Sequence, residues 1–175
     1  MTDYLAQQFA YAKTSGWIPF FQKAGADYNF APSLLMAIAS RETNMRNIVG
    51  DGGHGYGLMQ IDVRSYGEWT ASGAWHHPDQ VIEKGAQVLD QKMCQAHNGV
   101  GRLITVGGYS FTGATFRSAT DAIRVAVAAY NAGLWAYYCF SKGEDPDRLT
   151  TGHNYSKDVL ARQAEFESLL KGAHT

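Results

Sequence analysis

The chain has 175 residues, a formal net charge of −1 and a sequence pI near 6.6. That balance offers no basic face for nucleic acid, and no run of 18 apolar residues is present to span a bilayer. With 45% hydrophobic residues and no repeat, low-complexity tract or linker, the composition fits a single globular domain over residues 1–175.

Most of the chain reads as helix. Residues 3–13 and 17–28 are two short amphipathic stretches parted by Ser15-Gly16. The start MTDYLAQQFAYAK lacks a basic segment followed by an apolar run, so no secretory signal peptide is expected. Ala31-Pro32-Ser33 opens a stronger helix, LLMAIASRET, because proline suits a first helical turn. Helical sequence resumes at Pro78 and runs to about His97. A further helix starts near Ser118 or Thr120 and ends at Asn131-Ala132-Gly133, a glycine stop. The last helix covers about 154–171, with Tyr155, Val159, Phe166 and Leu170 on one stripe.

Two segments interrupt this pattern. Gly50 to Gly57 contains five glycines in eight residues and is followed by LMQIDV. Residues 98–117, rich in glycine, β-branched and aromatic residues, read as a hairpin or flap. The expected fold is therefore mainly α, close to α+β, with a small β element and a glycine-rich loop. Cys94 and Cys139 match no zinc spacing and are read as buried free thiols. A disulfide between them would require an oxidising compartment.

Leu34, Ile38 and Glu42 are spaced four apart, so they stack on one helix face that begins apolar and ends in a carboxylic acid. At the edge of a core the charged form of that acid is disfavoured. Cleavage of a glycosidic bond needs such a proton donor near neutral pH. Asp51 and Asp62 follow within 21 residues of Glu42, one on each side of the glycine-rich turn. Two carboxyl groups on opposite sides of a sugar bond suit acid and base roles. The plainer alternatives are a helix-end glutamate paired with Arg41 or Arg46, and aspartates acting as turn and cap residues. Gly50, Gly52 and Gly55 satisfy GxGxxG, but no strand precedes them and no βαβ unit follows. The P-loop GK[ST], alternating calcium ligands and HExxH are all absent, so neither metal nor cofactor is expected.

The blocks SRET, GDGGHGYGLMQID, AVAAYNAG and NYSKDVLARQ occur in order. Together they make residues 30–171 resemble the goose-type lysozymes and, more distantly, the soluble lytic transglycosylases. The resemblance implies a lysozyme-like fold and a catalytic acid at Glu42. It also implies water-positioning aspartates at Asp51 and Asp62, and a catalytic tyrosine at Tyr130. Gln60, Asn131 and Tyr155 stand where the family has substrate-contacting residues, and His54 and Tyr56 in the glycine-rich loop join them as candidates. Trp69 and Trp75 are further flat faces suited to a sugar, although each such ring is more often core. Tyr130 ends the small-residue run IRVAVAAY and could equally be a core aromatic.

The implied activity is inverting hydrolysis of peptidoglycan between N-acetylmuramic acid and N-acetylglucosamine, with carboxyl groups about 6.5–9.5 Å apart. The runner-up is a lytic transglycosylase forming 1,6-anhydro sugars; from another class, a catalytically silent wall-binding module. The chain resembles a compact phage endolysin without a separate wall-binding domain. That implies synthesis in the host cytoplasm, release through a holin pore, and action on the wall in the periplasm. Monomer is the default state. The last helix balances Lys157, Arg162 and Lys171 against Asp158, Glu165 and Glu167, so no stable membrane insertion or unaided passage through an anionic membrane is expected.

Overall fold

The computed structural model describes residues 3–172. They form a mainly α structure with eight α-helices and two small sheets. The chain gathers into two compact units, one running to Gln87 and resuming at Val159, the other covering Val88–Asp158.

The first unit opens with α1 (Asp3–Thr14) and α2 (Ile18–Tyr28). α2 stops where Asn29 turns left-handed, at φ 57°. α3 (Pro32–Thr43) starts at its proline and is buried from Ser33 to Ser40. A helix buried on all sides is core rather than surface, and each fully buried Leu or Ile contributes roughly 1.5–3 kcal/mol. Three very short strands follow: β1 (Val49–Gly50), β2 (Gly55–Tyr56) and β3 (Ile61–Asp62). They pair antiparallel in that order, with Val49 opposite Tyr56 and Gly55 opposite Asp62. α4 (Val63–Ala71) and the beginning of α5 (Pro78–Asn98) continue the unit.

The second unit takes the rest of α5, then β4 (Leu103–Val106) and β5 (Tyr109–Thr112). These form a hairpin with Leu103 opposite Thr112 and Val106 opposite Tyr109, inside the segment whose composition suggested one. α6 (Ala119–Ala132) begins at Ser118, whose hydroxyl accepts the Asp121 N–H at 3.1 Å. α7 (Leu134–Ser141) follows directly after Gly133. Ala96, Phe111, Val125 and Tyr137 form the core, with Phe116 and Phe140 packed against it. α8 (Tyr155–Gly172) starts here and completes the first unit, where Val159 and Phe166 are fully buried. Within the first unit Arg162 donates to the Ser40 hydroxyl at 2.8 Å, tying α8 to α3.

Three expectations need correction. α4 was hidden by Gly67 and by a kink at Tyr66, whose φ of −135° and ψ of 42° are not helical. α7 was hidden because LWAYYCFS is short and has no polar face to give it a period. Cys139 is buried but Cys94 is exposed, and both are free thiols. Cys94 lies two residues from buried Ala96 on α5, about 200° round the helix from it.

Candidate active site

The first unit holds six of the nine site candidates. Glu42 occupies the last turn of α3 and is half-buried, below the buried Leu34 and Ile38. The chain then turns sharply through Asn44 and Met45, at φ 51° and 62°. Thr43, buried beside Glu42, fixes this corner. Its hydroxyl donates toward the carbonyls of Ala39 and Leu58, each at 3.1 Å, and accepts the Arg46 N–H. Asn47 adds a second anchor, accepting the Leu58 N–H at 2.8 Å and donating to the Trp75 carbonyl at 3.0 Å.

The loop between these anchors is organised by Gln60. Its amide nitrogen donates to the carbonyls of Gly57 at 2.9 Å and Ile48 at 3.1 Å. A methyl group at Gly50 or Gly55 would overlap its Oε1, so both glycines make room for this side chain. The amide that was expected to contact substrate binds the loop together. Strands of two residues supply few ladder bonds, and Gln60 makes up the deficit.

Asp51 opens a short 3₁₀ turn at φ 49°, and its carboxyl group is 70% exposed. Exposed His54 closes the turn, its Nδ1 2.9 Å from the Asp51 carbonyl. Tyr56 is half-buried and meets Trp75 edge to face, centroids 5.4 Å apart. Asp62 caps α4, accepting from the Arg64 N–H and the Ser65 hydroxyl, both at 3.2 Å. The Arg64 side chain returns to both aspartates: Nε is 2.8 Å from Asp62 and Nη2 is 3.7 Å from Asp51. Burial alone would raise the Asp62 pKa; the hydrogen bonds and charge of Arg64 outweigh it and hold the carboxyl below the usual aspartate range. The phenol of Tyr66 is pushed up by burial and by the nearby Asp62 charge.

Three candidates belong to the second unit. Tyr130 is half-buried near the end of α6, after the buried run Val125–Ala129. Asn131 is exposed and accepts the Thr151 N–H at 2.8 Å, which fixes the start of a 3₁₀ turn. Tyr155, expected to line a cleft, is only 2% exposed. It stands four residues before Val159, on the buried stripe of α8. Beside it, buried Asp147 accepts the Ser156 and Lys157 N–H groups and the Ser156 hydroxyl, capping α8 from outside the helix.

Sequence reasoning passed over Arg64 and Asn47. Both act through contacts that no periodicity signals, although Arg64 stands two residues from Asp62. Among the described residues, no group of three or more His, Cys, Asp or Glu side chains is arranged to hold a metal ion.

A family model described as Transglycosylase SLT domain matches residues 19–138. A "Lysozyme g" of Epinephelus coioides is 31% identical over 159 residues, covering 85% of this chain and 72% of the relative. A "Lysozyme g" of Cyprinus carpio is 30% identical, covering 83% and 70%. The chain belongs to the goose-type lysozyme and SLT superfamily. A "Lysozyme G" of Dromaius novaehollandiae, 27% identical over 150 residues, extends the likeness to birds. For this superfamily member, the mainly α fold with a small β element is the lysozyme-like architecture that the motif blocks implied.

Proposed function

We propose that this goose-type lysozyme relative is a muramidase, hydrolysing the β-1,4 bond between N-acetylmuramic acid and N-acetylglucosamine in bacterial peptidoglycan. One observation carries the proposal: Asp51 and Asp62 converge on one guanidinium, in the same unit as the half-buried Glu42. Glu42 gives its proton to the glycosidic oxygen as the bond breaks. A water molecule attacks the anomeric carbon from the opposite sugar face and inverts it. Asp62, with Asp51, orients that water and takes its proton. His54 and Tyr56 flank the same loop and are assigned to the sugar; Gln60, whose amide nitrogen is taken up by the Ile48 and Gly57 carbonyls, holds that loop in place for it. Tyr130 and Asn131 enter through the AYNAG motif in which they stand. The chain acts as one catalytic module and needs no cofactor.

The family description favours one second reading, lytic transglycosylation. There Glu42 acts first as acid and then as base, and the muramic 6-hydroxyl attacks in place of water. The two aspartates gathered on Arg64 support water attack instead. Mass spectrometry of digested wall separates the two. Reducing ends are expected; 1,6-anhydro ends would overturn hydrolysis and leave Glu42 in place.

The bacteriolytic role belongs to the same proposal: an endolysin that reaches the wall through a holin pore. Cells making the protein should remain intact until their inner membrane is permeabilised, and then clear. Lysis without permeabilisation would contradict holin dependence.

A further inference from the structure

We propose that Arg64 is a positioning residue that makes Asp51 and Asp62 operate as one pair, an inference that rests on the muramidase reading. The two aspartates come from different elements. Asp51 projects from the turn after β1, and Asp62 from the cap of α4. The Arg64 guanidinium reaches both, at 3.7 Å and 2.8 Å. Two carboxylates sharing a site tend to retain a proton between them. A cation set between them removes that tendency and fixes their spacing. Arginine suits the task because its planar fork presents several donors at once, whereas lysine is a single point charge. The second oxygen of Asp62 is held by Ser65, so this carboxylate is fixed on both sides.

Other titratable groups on the surrounding elements are Tyr56, Tyr66, His54, Glu68 and His76, with Lys84 of α5 lying over the Tyr66 ring, 4.3 Å from its centroid. In the free protein the pair stands in water, with Arg64 65% and Asp51 70% exposed. Exposed ion pairs add little to stability. A glycan strand laid over the loop excludes water and strengthens the same contacts. The effect of Arg64 therefore belongs to turnover rather than to folding. An aspartate held this way is a poor base, so Asp62 orients the water and receives its proton only as the glycosidic bond breaks.

Arg64→Gln and Arg64→Lys test this by kinetics on purified wall and by carbon-13 NMR titration of both carboxyl groups. Arg64→Gln should lower kcat roughly 10- to 100-fold, with KM within about twofold and Tm nearly unchanged. Without the cation Asp62 holds its proton to higher pH, so the acid limb of kcat/KM should move upward. Arg64→Lys should recover part of kcat. An unchanged kcat and acid limb in Arg64→Gln would overturn the proposal. So would a collapse of Tm, which would assign Arg64 to folding. The titration needs no turnover and stands apart from the question of hydrolysis. If wild-type digests carry anhydro ends, the muramidase reading fails alone. If Asp51 and Asp62 titrate identically with and without Arg64, the pairing fails alone.

Discussion

The two small sheets of this protein are held together by different means. The loop of β1, β2 and β3 has strands of two residues, and its cohesion comes from the side chains of Gln60, Asn47 and Thr43 reaching backbone groups. The β4–β5 hairpin has four-residue strands in unbroken register, and Trp135 packs on its Gly107 turn. The hairpin is regular and leaves Leu103 and Tyr109 on its surface. The loop is irregular, holds Asp51 and Gln60 at φ 49°, and carries the acidic candidates. Non-glycine residues with positive φ persist only where their surroundings fix them, and they cluster at working sites. Irregular backbone and presented carboxylates thus go together in one sheet; regular backbone without either forms the other.

The largest effect that would separate the two regions is at the end of α3, where it meets the loop. Glu42→Gln should reduce wall clearing by about 10³-fold, while circular dichroism and Tm stay close to wild type. Next is the loop itself. Gly55→Ala drives a methyl into Gln60, and losing its two hydrogen bonds should cost about 2 kcal/mol. Activity should fall with it, measured at a temperature where the rest of the protein is folded.

The matching change in the hairpin is Gly107→Ala, at φ 54° against Trp135. It should cost about 1–2 kcal/mol and lower Tm by several degrees. Turnover at low temperature should remain within about twofold. A hairpin variant that loses activity while its fold is intact would make this segment a working flap and erase the contrast.

The smallest effect concerns acid. Burial would raise the Asp145 pKa, but Lys157, the Asp147 N–H and Arg124 outweigh it and leave it lowered. A carboxyl with a folded pKa below its unfolded one stabilises above the unfolded value, and that contribution disappears as pH falls through the folded one. Asp145→Asn should therefore flatten the fall in Tm below about pH 4, and change Tm less at pH 3 than at pH 7.

Much of this was legible in the sequence wherever a local rule decides. Pro32, Ser118 and Gly133 mark helix ends through backbone chemistry that acts within a turn. The stripe of Tyr155, Val159 and Phe166 marks a buried face. Glu42 could be singled out because Leu34 and Ile38 precede it at helical spacing, and Asp51 and Asp62 because glycines surround one and a motif ends at the other. α4 and α7 were not legible, since neither shows a clean period. Nor were Arg64, Asn47 or the exposure of Cys94, which depend on what the chain brings together over distance. Tyr155 reads two ways, as a cleft residue from its motif and as part of the buried stripe from its spacing; its burial agrees with the spacing.

On the proposed mechanism, water positioned by the aspartate pair attacks the muramic acid anomeric carbon as Glu42 protonates the departing oxygen. Digestion of purified peptidoglycan in water labelled with heavy oxygen tests it directly. One labelled oxygen is expected at each newly formed muramic acid reducing end, and none in the same digest by Glu42→Gln protein. Unlabelled anhydro ends from the wild-type enzyme would contradict it.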